Sequence, residues 1–227
     1  MLELLRRNLG IKAKNRTKLK KNSPSTLSSS QKRMLVFGAL LFCNQKNAVF
    51  SFSMDKERRV HLRKEYTIID KESAIKVLGK LLNLEEANTN DIRLSINNTE
   101  LNSIKTAIAQ GLRVKKEEID KVSSTYAWDV CRLVAISKWC FCSGYISKQE
   151  MWDTISEGVE IASELGTNWE AYTISFLLGR TIQGLEINDI INESKYLYYS
   201  KGPLFKRIKD INVYRKYKFK YSKVIKH

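Results

Sequence analysis

The stretch Tyr126 to Cys142, YAWDVCRLVAISKWCFC, constrains the fold more than any other part of the chain. Only Asp129, Arg132, Ser137 and Lys138 in it are strongly polar, and apolar positions run all the way round a helical wheel. A helix of that kind belongs in the centre of a domain, with other elements wrapped around it. Asp129 and Arg132 sit three residues apart, so they meet on one helical face. Charges in such a helix are costly unless they are paired.

The surrounding sequence is punctuated as helices. Gln31 to Cys43 reads as the first helix of the body, and the charged run Asp55 to Tyr66 as an exposed one. AVFSFS, 48–53, reads as a loop whose Phe50 and Phe52 plug the core. Asp70 is placed to cap a helix over KESAIKVLGKLLNL, with Ile75, Leu78, Leu81 and Leu82 as its apolar stripe. EEANTND, 85–91, reads as a loop, and Thr99 to Ala109 as a helix stopped by Gly111. Ser124 or Thr125 can open the central helix and Gly144 can close it. Ser147 with Glu150 forms a capping box, and the helix it opens carries Met151, Ile155, Val159, Ala162 and Leu165 inward. Thr167 to Glu170 reads as a second box, opening a helix with Trp169, Thr173, Phe176 and Arg180 on one face. Glu186 to Tyr199 completes the series. With Pro rare and Gly sparse, a turn-rich β-architecture is disfavoured. The expectation is an all-α fold: a single helical domain over 31–200, built around the buried central helix, with basic N-terminal (1–30) and C-terminal (201–227) extensions.

Charge divides the chain the same way. Residues 1–33 hold ten Lys/Arg against Glu3, and residues 195–227 hold eleven against Asp210, while the middle is close to neutral. Residues 10–30 lack apolar periodicity and are expected to be disordered. Basic ends suit nucleic acid or another acidic partner, and equally suit solvated tails. Three of the four cysteines, Cys131, Cys140 and Cys142, lie in the apolar helix as small hydrophobes, and the fourth is Cys43. That pattern is not a disulfide framework, and it points to a reduced, cytoplasmic protein. The longest clean apolar run, Met34 to Cys43, is far short of the ~20 residues a spanning helix needs. A cleaved export signal is disfavoured because Phe42 is too large for a small-residue cleavage site.

The run from Ala127 to Arg180 resembles the bacterial family known as domain of unknown function 1266. The resemblance rests on a WD-x-x-R helix (Trp128, Asp129, Arg132), then Gly144 and Tyr145, a helix carrying Trp152, and a helix from Trp169 that ends in Gly179 and Arg180. It implies an all-helical bacterial domain and brings no activity with it.

Two chemistries remain open. Asp129, Arg132 and Arg180 read either as a buried polar cluster that fixes helix register or as a site for an anionic ligand, with the arginines as donors. The C-terminal run Tyr214, Arg215, Lys216, Tyr217, Lys218, Phe219, Lys220, Tyr221 alternates aromatic and basic residues, a composition suited to stacking bases and meeting phosphates. Its alternative is a segment that packs its aromatics on the body and leaves the lysines in water. No metal site is expected, because Cys140-x-Cys142 has only His61 and His227 to complete it. No phosphate loop, nucleophile elbow or other catalytic motif is present, so no cofactor is expected and the chain leans away from an enzyme. The leading expectation is a non-enzymatic interaction module whose basic ends engage nucleic acid or an acidic protein. The alternative is an enzyme or small-ligand protein built on Asp129, Arg132 and Arg180.

Overall fold

A computed structural model describes residues 27–42, 49–52, 56–96, 99–198 and 212–220. The basic N-terminal run up to residue 26, Cys43, residues 201–211, Tyr221 and His227 lie outside these described residues. Every regular element among the described residues is helical. In chain order they are α1 (Ser29–Val36), a single 3-10 turn (Ala39–Leu41), α2 (Lys56–Glu65), α3 (Lys71–Leu82), α4 (Glu85–Ser95), α5 (Thr99–Leu112), α6 (Lys116–Asp120), α7 (Tyr126–Ser143), α8 (Lys148–Leu165), α9 (Trp169–Ile182), α10 (Asn188–Tyr198) and α11 (Val213–Lys216). None is long and apolar enough to cross a membrane.

α7 is the axis. Every residue from Tyr126 to Cys140 is buried, which is where an all-round apolar helix must go. α8, α9 and α3 form its main walls, and α2, α4 and the 3-10 turn cover the remainder. Gly144, at φ +81°, closes α7 in the left-handed conformation that glycine adopts without strain. Close packing to α9 is set at Gly179, where a Cβ would come within 2.5 Å of the Trp128 Cβ. The buried Lys138 donates to the Val49 carbonyl and lies 4.1 Å from the Phe42 ring centre, so it ties the 49–52 loop, with Phe52 in the core, to the axis.

Several elements differ from the sequence reading for identifiable reasons. Residues 85–91 form the first two turns of α4 and not a loop. The first helix starts earlier and stops at Val36. It is capped reciprocally by Ser28 and Gln31, and the chain then tightens into the 3-10 turn. The inward stripe of α3 is Ala74, Leu78 and Leu81, while Ile75 is 52% exposed. Leu165 at the end of α8 is likewise exposed. Gly111 does not stop α5; it sits inside the helix where a Cβ would meet Ile191 at 2.7 Å, so its smallness brings α10 close. α9 is capped by Asn168, whose side chain accepts from the Ala171 amide, and not by Thr167.

The C-terminal stretch 212–220 packs where α8 passes into α9. Tyr214 stacks flat on Trp169 at 4.3 Å and 7°, and the Trp169 indole donates to the Tyr217 carbonyl at 2.7 Å. Phe219 is buried between Phe37, Trp169 and Tyr172. Lys220 donates at 2.8 Å to the Ser163 and Gly166 carbonyls, which are orphaned acceptors at the end of α8.

Candidate functional site

The site begins with two helices that cap one another. α4 starts at Leu84, which has φ +53° and no side chain able to cap. Its orphan amides are met from α7 instead: Asp129 accepts from the Ala87 amide at 2.9 Å. In return Asp91 of α4 accepts from the Thr125 amide at 2.7 Å and from its hydroxyl at 3.1 Å, which satisfies the start of α7. This exchange fixes the first turn of α4 against the first turns of α7 and directs Glu86 at Trp128 and Arg132.

Glu86 is the principal partner of Arg132. It accepts from the Arg132 guanidinium and, at 2.8 Å, from the Trp128 indole. Asp129 is the more distant carboxylate, 3.4 Å from Arg132 Nη1. The guanidinium also lies over Trp128, 4.7 Å from the ring centre, and over Tyr66 at 5.4 Å. Burial works against the charge on Glu86. The bonds from Arg132 and Trp128 and the arginine's charge outweigh it and hold the carboxyl below its usual range. Burial likewise opposes the charge on Arg132, and Glu86 and Tyr66 more than restore it.

Asp129 behaves differently. It is fully buried, and burial pushes its carboxyl up to about 6, against the pull of the Ala87 amide and Arg132. Between the ordinary value of 3.8 and about 6, the folded protein holds a proton that the unfolded chain has released. Stability therefore falls as pH rises through that window, by on the order of 3 kcal/mol. Asp129→Asn keeps an acceptor for Ala87 and removes the titration. We expect the parent to lose that amount relative to the Asn variant between pH 4 and pH 7 in chemical denaturation. Parallel stability curves for the two proteins over that range would contradict the assignment.

Arg132 opens onto a cavity of about 610 Å³ bounded by α2, α4, α7, α9 and the start of α10. Trp128, Trp139, Arg180, His61 and Tyr66 also line it. Arg180 is half-buried; its Nε donates to the Glu186 carbonyl at 2.8 Å, and among the described residues it makes no ion pair. Arg132 itself is only 8% exposed and carries a buried Nε with no hydrogen-bond partner. Burial lowers the His61 imidazole, aided by Arg58 and opposed by Glu65.

Of the three residues singled out in the sequence, Arg132 and Arg180 thus meet on one cavity, whereas Asp129 lies beneath it and faces the α4 amide. Glu86 and Tyr66 carry no sequence signal for this place, because both are brought there by tertiary packing alone. At the other candidate stretch, Tyr214 and Phe219 are buried and Tyr217 is half-buried, while Arg215, Lys216, Lys218 and Lys220 are exposed. Burial pushes the Cys131 and Cys140 thiols up to about 12 and Cys142 to about 11, leaving them neutral. Among the described residues, no group of three or more His, Cys, Asp or Glu side chains is arranged to hold a metal ion.

The model of a family described as "Protein of unknown function (DUF1266)" matches residues 61–202, a span that contains α3 to α10 and every polar residue of the cavity. No curated protein and no solved structure matches the chain.

Proposed function

The chain belongs to the DUF1266 family, and we propose that its cavity is a binding site for a small anionic ligand, with Arg180 as the principal donor and Arg132 as the second. The observation that carries this reading is the state of Arg180. Its guanidinium lines a cavity of ligand size, is partly desolvated, and has only a backbone carbonyl bonded to it among the described residues. A planar guanidinium held this way presents its remaining N–H groups as a fork for a carboxylate or phosphate. Arg132 supports it from below, with its orientation fixed by Glu86. Trp128, Arg132 and Arg180, which carry the family resemblance, converge here although 48 residues separate the last two.

The basic ends offer a second reading, engagement of nucleic acid or an acidic protein. The exposed Arg215, Lys216 and Lys218 favour it. Any such affinity in the described segment rests on charge, because Trp169 already covers Tyr214 and Phe219 is enclosed.

Inorganic phosphate tests the cavity. At about tenfold over its dissociation constant, a ligand that binds only the folded state adds about 1.4 kcal/mol, or roughly 3 °C in Tm for a chain of this size. We expect that rise in the parent and its loss in Arg180→Met, which keeps the side-chain bulk. Phosphate also stabilises proteins generally by exclusion from their surface, so the difference between parent and variant is the readout. Equal shifts in the two would remove Arg180 from the site.

A further inference from the structure

Resting on the anion-site reading above, we propose that the ligand of this cavity is a zwitterion, an amino acid or short peptide, with its carboxylate on Arg180 and its ammonium group between Asp189 and Glu65. The inference follows from which charges in the cavity are already engaged. Four carboxylates line it, and two have partners within the protein. Glu86 holds Arg132 and the Trp128 indole. Glu186 accepts from the Ile187 and Asn188 amides at 3.0 Å and so caps α10. The other two, Glu65 at the end of α2 and Asp189 in the first turn of α10, make no hydrogen bond or ion pair among the described residues.

The cavity therefore keeps uncommitted groups of both signs. Arg180 offers donors, and the exposed Glu65 and Asp189 offer acceptors. Arg180 and Asp189 are tied to the same short connection, since Arg180 bonds the Glu186 carbonyl and Glu186 caps the turn that carries Asp189. Arg180 and Asp189 thus line the one cavity from either side of this connection, and Glu65 lines it from α2. A simple anion engages only the arginines and leaves Glu65 and Asp189 facing the cavity without a counter-charge. A ligand bearing both signs pairs with each set and leaves neither charge stranded. Tyr66, Trp128 and Trp139 supply the apolar surface that such sites use for the ligand's side chain.

The test uses the full chain and a set of twenty alanyl dipeptides, each in three forms: free, N-acetylated and C-terminally amidated. Acetylation removes the ammonium charge and amidation the carboxylate, with the frame unchanged. Binding is read from intrinsic tryptophan fluorescence. We expect at least one free dipeptide to bind tenfold or more tightly than both of its capped forms. Asp189→Asn should abolish the advantage over the acetylated form, and Arg180→Met the advantage over the amide. If acetylated dipeptides bind as tightly as free ones, the zwitterion inference is overturned and the anion site stands. If amides alone bind, both readings fail. If no dipeptide binds in any form, the inference is overturned, and the phosphate shift with Arg180→Met then decides the anion site separately.

Discussion

Arg132→Ala is expected to lower the free energy of unfolding by roughly 3–5 kcal/mol, the range for removing one partner from a buried ion pair. Arg132 is 8% exposed, and it answers both Glu86 and Asp129. The Glu86 side chain keeps 39% of its surface in water and can turn outward, which places the cost toward the lower end of that range. Asp129 has no such escape. It is fully buried and bound to the Ala87 amide, so losing the cation favours its neutral form still further. The cost is therefore attributed to Asp129, left to take up a proton or to hold its charge unpaired, as well as to lost packing between Trp128 and Tyr66. A double-mutant comparison separates the two. Adding Asp129→Asn to Arg132→Met should recover part of the loss, because no buried charge then remains unpaired. Equilibrium denaturation of the parent and these variants measures it, and an Arg132→Ala protein as stable as the parent would show that the cluster is solvated.

Phe219→Ala is expected to cost about 3–5 kcal/mol as a large-to-small change in a closed core. The ring sits 5.4 Å from Phe37 and 5.0 Å from Trp169, edge-on to the latter, and it lies against the Gly166 backbone, where a Cβ would come within 2.6 Å of it. Lys216→Ala, on the exposed side of α11, should stay within about 0.5 kcal/mol of the parent. The contrast decides what the aromatic and basic residues of this segment do. If Phe219→Ala unfolds with the parent, the segment is not docked as described and its rings are open to stacking partners. If it loses the expected amount, Phe219 is a core residue and is closed to stacking partners.

The central helix was legible because its apolar residues occupy every face, and only a buried position satisfies that pattern. Local caps were legible too: Asp70 with Ser73 and Ser147 with Glu150 close within one turn, so the signal lies in four consecutive residues. α4 was missed because its cap is Asp129, 42 residues away in the chain, and its own N-cap position holds Leu84. With no local start signal and a polar composition, residues 85–91 carry the local character of a loop. The polar cluster was half legible for the same reason. Arg132 and Arg180 announce themselves as charges on apolar helices. Glu86, the residue that neutralises Arg132, comes from a helix whose start only the folded structure specifies. Spacing alone suggested Asp129 as the partner of Arg132, and a 3.4 Å separation, set beside the direct bond from Glu86, makes it the secondary one. Alternation of aromatic and basic residues in 214–220 left two readings open, because a docked segment with its lysines outward and a stacking platform have the same composition.

The four tryptophans provide the most direct test of the claim that the cavity is a ligand site. Trp128 and Trp139 line it, whereas Trp152 and Trp169 lie elsewhere, the latter under the C-terminal segment. In a titration with inorganic phosphate followed by the indole N–H signals, those of Trp128 and Trp139 are expected to move in a saturable way while those of Trp152 and Trp169 stay in place. Movement of the Trp169 signal with Trp128 and Trp139 unchanged would contradict it and place the anion at the C-terminal segment.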